Sequence, residues 1–285
     1  MSARRIRGAA LLLVLWLIVL LTALIGAFAL TARVESMQGR VLGKGAEAQE
    51  IARAGVEYAL VRVADPDPAS HWLPDGRWYP WGFAGSHVEI SIVDESGKVD
   101  LNQADASLLS ALIKTVGGDS AAAEQLAAAI IDWRDPDPLT QPSGGAEDPD
   151  YAAAGLPYGA KDAPFETVAE VEQVLGMTPE LYARLEPSLT LYSGRPLPDP
   201  NYAQAPVLVA LGLDPAVYLA RRRLSQPVAG ASQLLGAGSG TYSIESRVIL
   251  AEGRQATLRT TVRAGGGPVP GSVYTILRWE EAAAR

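Results

Sequence analysis

The sequence predicts an α+β fold: one long N-terminal helix packed on an antiparallel sheet, with a large all-α domain inserted among the strands. Three observations carry this expectation. Residues 9–64 keep a helical pattern with no proline. Apolar and polar residues alternate at 87–93 and again from 241 onward, the period-2 mark of half-buried strands. Between those blocks, residues 100–236 are rich in Ala and Leu and read as helices. Strand, helical block, then strands is the order of a sheet interrupted by an insertion.

The first residues, 1–8, carry Arg4, Arg5 and Arg7 and no acid. Residues 9–32 follow as an apolar run of about 24, where roughly 20 suffice to cross the hydrocarbon core. The arginine bias places the N-terminus in the cytoplasm and the remainder outside. A cleaved secretory signal would have a shorter apolar region, and here the helical pattern continues beyond it. Val34, Met37, Val41, Ala48, Ile51, Gly55 and Tyr58 make a narrow apolar stripe on a largely polar helix. Asp65-Pro66-Asp67-Pro68 ends that helix, because proline cannot continue the hydrogen-bond ladder. The expected rod is about 55 residues and roughly 80 Å long.

The aromatic stretch 71–83 reads as a loop, and a half-buried strand follows at 87–93. Helices are expected at 106–115, 121–134, 167–175, 179–185, 206–211 and 215–224. Alternation at 242–250, 255–263 and 273–279 gives further strands, with turns at Gly253 and at 265–268. The domain boundaries are therefore a basic leader at 1–8, the long helix at 9–64, a β-domain formed by 65–99 and 237–285, and the insertion at 100–236.

Composition excludes several function classes. The chain has 285 residues, 48% hydrophobic and 20% charged, enough apolar content for a packed core. It has no Cys, so disulfides, thiolate metal sites and cysteine nucleophiles are ruled out. His71 and His87 are too few for a polyhistidine site. With 32 acids against 24 bases and a formal charge of −8, the molecule repels phosphate backbones. Neither a nucleophile elbow nor a paired-carboxylate site emerges, and no enzymatic activity is expected.

Inside the insertion, Leu101-Asn102-Gln103-Ala104 opens a leucine helix and then an Ala-rich helix ending Ile130-Ile131-Asp132-Trp133-Arg134. The segment Pro200-Asn201-Tyr202-Ala203 echoes it. This pattern is similar to helix-hairpin-helix modules that grip DNA, so the alternative reading is a membrane-anchored DNA-uptake protein. Those modules need a glycine turn beside basic residues; here Gly117-Gly118 meets Asp119, and the unit runs into Asp132, Asp135 and Asp137. The pattern is therefore read as helical packing, with no nucleic-acid partner expected. Gly236 to Gly240 reads as a linker, and Arg221-Arg222-Arg223 as a solvated helix end or a partner contact. Trp72, Trp78, Tyr79 and Trp81 suit either a carbohydrate or partner platform or internal packing.

The acidic loop is the strongest chemical signal. Asp132, Asp135, Asp137, Glu147, Asp148 and Asp150 fall close together among prolines and glycines. Such a loop is either solvated or neutralised by a hard cation such as Ca²⁺, which takes oxygen ligands in irregular loops. The spacing is not that of an EF-hand.

Arg7-Gly8 followed by Ala9-Ala10-Leu11-Leu12-Leu13-Val14-Leu15-Trp16 resembles a type IV pilin-like leader, cut by a prepilin peptidase between Gly8 and Ala9. Most of that family carry Glu at the fifth position after the cut, where this chain has Leu13. Further motifs narrow the resemblance: Asp94 to Asn102, Ile130 to Asp137, Gly144 to Asp148, Pro164 to Val171 and Gly176 to Leu185. Together they resemble protein K of the type II secretion system, a minor pseudopilin family. The resemblance implies a pilin-like fold, processing and methylation at the new N-terminus, and an inner-membrane anchor with a periplasmic C-terminal domain. It also implies a place at the tip of the pseudopilus, capping a complex with minor pseudopilins I and J above the major pseudopilin filament. Finally, it implies structural Ca²⁺ in the insertion, carried onto Asp135, Asp137, Glu147, Asp148 and Asp150.

Overall fold

The computed structural model describes residues 6–224, 239–265 and 274–282. Most of the leader, most of the glycine run at 236–240 and the turn at 266–268 lie outside the described residues.

Helix α1 runs from Ile6 to Ala64, 59 residues, or about 88 Å at 1.5 Å per residue. Every side chain from 10 to 44 is exposed. From there on one face is covered: Ala48, Ile51, Ala52, Val56, Ala59 and Val63 are buried. The change reflects what lies beside the helix. The sheet begins alongside Gly45, where Arg254 Nη1 comes within 3.8 Å of a Cβ added at that glycine. Gly55 allows the closest approach. A Cβ there would sit 2.3 Å from Ser246 Oγ, so only hydrogen lets the helix backbone rest on the strand.

Five antiparallel strands form that sheet: β1 (Asp75–Phe83), β2 (Ser86–Asp94), β5 (Thr241–Ile249), β6 (Gln255–Ala264) and β7 (Tyr274–Ala282), in the order β1-β2-β5-β6-β7. Alternation puts Val88, Ile90, Ile92, Tyr242, Ile244, Val248, Ala256, Leu258 and Val262 into the core against α1. The opposite face is polar. Glu245 pairs there with Arg247 at 2.8 Å and with Arg259 at 3.3 Å, and Arg278 with Glu280 at 2.6 Å.

Residues 75–83, read from sequence as part of a loop, are strand β1. Aromatic residues favour strands, and β1 lies at the sheet edge, where Pro80 is tolerated. The aromatics also have a packing role. Tyr58 stacks on Trp81 at 4.4 Å, Trp72 on Tyr79 at 4.3 Å and Trp81 on Phe83 at 4.7 Å, fastening β1 to α1.

Between β2 and β5 lies a helical unit with an apolar core of its own. It holds β3 (Val99–Asp100), α2 (Ala106–Thr115), α3 (Ser120–Arg134), α4 (Asp148–Ala153), α5 (Pro179–Leu185), β4 (Leu189–Thr190), α6 (Ala205–Ala210) and α7 (Pro215–Leu224). The helix expected at 167–175 is a 3-10 segment, Val168–Gln173. β3 and β4 pair in parallel, a contact with no local sequence signal. Two hairpins share one device: Arg134 donates to the carbonyls of Leu101 and Ala104, and Arg222 to those of Pro200 and Ala203. At the Gly117-Gly118 turn, Ile113 O lies 2.9 Å from a Cβ placed at Gly118 and Arg184 Nη1 2.9 Å from one at Gly117.

The unit's position follows from register. The β5–β6 turn lies toward the exposed part of α1, because Gly45 neighbours Arg254, whereas Gly55 neighbours Ser246 and Val88. Asp94 and Tyr242 pair at the opposite end of the strands. The chain leaves the sheet at Asp94 and re-enters at Thr241, so the helical unit springs from the end remote from the bare stretch of helix.

Candidate functional site

The acidic loop follows α3. Asp119 caps that helix by accepting from the N–H groups of Ala121 and Ala122. Ala123, Leu126, Ala127, Ile130 and Trp133 set its buried face. Asp132 sits on the inner side of the last turn and is fully buried, at 0% exposure. Backbone N–H groups of Gln141 and Ala146 donate to its carboxylate. Gly145 makes this possible, since a Cβ there would lie 1.8 Å from Asp132 Oδ2.

Of the acids proposed from sequence, the fold brings Asp135 and Glu147 toward Asp132. Asp135 Oδ2 accepts weakly from Gln141 Nε2 at 3.4 Å, while its Oδ1 is buried without a partner. Glu147 is 5% exposed, and its Oε1 is likewise buried and unpartnered. Asp137 stands at the exposed rim and accepts from Leu139 N–H. Asp148 and Asp150 lie on the first turn of α4, where acids suit the helix dipole. Asp150 accepts from the Glu147 N–H at 2.9 Å, and Asp148 packs against Gly159. Among the described residues, no three acidic or imidazole side chains stand close enough to ligate one ion as they are placed.

Two contributors fall outside the five ligands carried over from the resemblance, although Asp132 belongs to the acidic loop read from the sequence. Asp132 has a readable signal, a carboxylate embedded in the apolar run Ile130-Ile131-Asp132-Trp133. Asp162, held at a φ of 52°, adds negative potential at Glu147 and has no such signal.

Electrostatics unite the group. Burial pushes the Glu147 carboxyl up to about 7, helped by Asp132, Asp162, Asp135 and Asp137. Burial likewise pushes Asp132 up to about 6, against the two N–H donors and with Asp135 and Asp137 adding to the rise. Asp135 is also raised, first by burial and then by Asp137. These acids hold protons more tightly in the folded chain than in the unfolded one, so their contribution to stability is full below about pH 4 and is lost as pH rises through 6 and 7. In chelator, the melting temperature of the Glu147→Gln variant should therefore fall less than the parent's between pH 4.5 and 7.5. Equal falls would show that Glu147 does not titrate in this window.

A long helix on an antiparallel sheet, interrupted by a helical unit, is a pilin-like α+β fold. Residues 90–194 match the family model for the type II secretion system (T2SS), protein K. The type II secretion system protein K of Pectobacterium carotovorum subsp. carotovorum is 35% identical over 82 residues, covering 29% of this chain and 25% of the relative. That of Klebsiella pneumoniae is 29% identical over 209 residues, covering 64% of this chain and 62% of the relative. The matches thus span a quarter and 62% of those relatives' lengths. A chain in the crystal structure of the GspK-GspI-GspJ complex from the enterotoxigenic Escherichia coli type 2 secretion system shares the fold. Its TM-score is 0.57 at 19% identity, over 88% of this chain and 99% of that one. Residues 90–194 match the protein K domain model, which bears out the resemblance read from the sequence over that stretch.

Proposed function

We propose that the chain is a minor pseudopilin at the tip of the type II secretion pseudopilus, with a structural rather than catalytic role in protein export. The observation that carries this reading is the placement of the helical unit, at the end of the sheet remote from the exposed helix. A second subunit stacked on that end would meet the inserted domain. Leu13 fits the same place, since a terminal subunit has no neighbour above it whose amino group needs a carboxylate. The structural neighbour comes from a GspK-GspI-GspJ complex, which supports minor pseudopilins I and J as partners of this chain, above a filament of major pseudopilin.

The anchor in this reading is the first part of α1, the one described helix long and apolar enough to cross a membrane. Its N-terminus is cytoplasmic, the rest periplasmic, and a prepilin peptidase cuts between Gly8 and Ala9. Mass analysis of the membrane-derived protein is then expected to give a chain beginning at Ala9 with a methylated amino group. An intact Met1 would overturn the processing step, and failure to co-isolate with pseudopilins I and J would overturn the tip complex.

Structural calcium belongs to the same proposal. The two orphaned buried oxygens, Asp135 Oδ1 and Glu147 Oε1, together with buried Asp132, supply hard anionic donors with no cationic side chain bonded to them. Asp137 lies at the rim, with Asp148 and Asp150 as further oxygen donors on α4. A calcium ion would neutralise this repulsion and tie the loop to the end of α3.

A further inference from the structure

The sheet and the helical unit have separate apolar cores. Their relative placement therefore rests on polar groups where the chain crosses between them. A cleft of ≈ 610 Å³ lies beside that crossing, with Tyr182 and Tyr192 on one wall and Arg259 and Arg278 on the other.

The crossing runs through a 3-10 turn, Glu95–Gly97, whose three residues are buried. Glu95 is 1% exposed. Its Oε1 accepts from Lys98 Nζ at 2.5 Å and from Ser243 Oγ of β5 at 2.6 Å. Its Oε2 accepts from Thr190 Oγ1 of β4. One buried carboxylate is thus bonded to a hydroxyl of each unit. Neighbouring acids act differently: Asp94 accepts from Ser96 and from Ser239 beside β5, and Asp100 from Ser193 and Gly194 within the helical unit.

Other links between the units are weaker or follow the chain. Arg278–Glu186 spans 3.5 Å, but its side chains are 41% and 37% exposed, so solvent screens it. The Asp199 N–H donates to Ser96 O at 2.7 Å. Gly97 fits closely under Tyr202, whose carbonyl carbon lies 2.5 Å from a Cβ placed there. These contacts pin the turn, and Gln204 Nε2 comes within 3.4 Å of a Cβ placed at Gly76 of β1. Charge-assisted hydrogen bonds to a buried carboxylate are short and directional, and removing one partner leaves that charge less compensated.

We propose that Glu95 is an interdomain latch, which holds the helical unit at one fixed angle on the sheet by bonding Thr190 and Ser243 at once. The inference concerns the two units only and does not depend on the pseudopilin reading.

The chain has no cysteine, so Ala154→Cys and Gln255→Cys give two unique, exposed spin-label sites, one on each unit. In the full-length protein in detergent, the parent pair should give one narrow distance peak. Glu95→Ala and Thr190→Val should both lose that narrow peak while keeping the parent's far-UV circular dichroism. Thr190→Val removes only the hydroxyl on the helical unit, so it decides the matter if Glu95→Ala fails to fold. A peak that stays narrow in folded Thr190→Val protein would overturn the latch.

Discussion

Calcium added to the chelated protein at pH 7.5 is expected to raise the melting temperature of the helical unit by about 10 °C. A ligand at about one hundred times its Kd stabilises the state it binds by about 2.7 kcal/mol. For a domain of this size each kcal/mol moves the midpoint by roughly 4 °C. At that pH Glu147 and Asp132 have mostly lost their protons, so the unliganded loop carries most of its repulsion. Glu147→Gln separates the proposal from nonspecific salt effects by sign. Without calcium the variant should melt above the parent, because a buried, unpartnered charge has gone. With calcium it should gain little. Magnesium should act weakly, since it demands a tight octahedral shell and sheds water reluctantly. No calcium shift in the parent, or an undiminished shift in Glu147→Gln, would reduce the loop to a solvated acidic segment.

Trp133→Ala is expected to destabilise the helical unit by about 3–5 kcal/mol, the usual range for deleting a large buried aromatic. The indole is 3% exposed and lies among Tyr151, Tyr158 and Phe165, with ring centroids 5.9, 6.4 and 6.3 Å away. Domain stabilities total only about 5–15 kcal/mol, so one substitution removes a large share. The loss should be local. The sheet and α1 form a different core, and the far-UV signal of their melting should keep its midpoint while the helical transition moves down. Trp133→Phe should cost much less, because the indole Nε1 has no hydrogen-bond partner to lose. Equal losses for Ala and Phe would show that ring volume is not what matters there.

Much of this architecture was legible in the chain. The α1 rod followed from an apolar run, an absence of proline and then Asp65-Pro66. Strands β2, β5 and β6 followed from alternation, because each has one face against α1 and one toward solvent. Strand β1 was missed for a physical reason: Pro80 and Gly82 weaken its pattern, and its aromatics pack sideways onto Tyr58 and each other. The β3–β4 pair joins residues 99–100 to 189–190, and a two-residue ladder carries no periodicity. The acidic loop was visible by composition alone. Which acids turn inward was not, because that depends on Gly145 admitting Asp132 and on a turn that carries Asp162 toward Glu147.

The bare stretch of α1 has an electrostatic consequence. Residues 33–47, between the apolar run and the first buried position at Ala48, amount to about 22 Å of helix. Residues 100–224 carry eighteen acids against eight bases. An anionic lipid leaflet would repel so acidic a body at close range, but its potential fades over a Debye length of about 8 Å in physiological salt. With the apolar run in the bilayer, that standoff exceeds two such lengths. The charge on the far unit is then hidden from the lipid headgroups and remains available to whatever approaches from the opposite side.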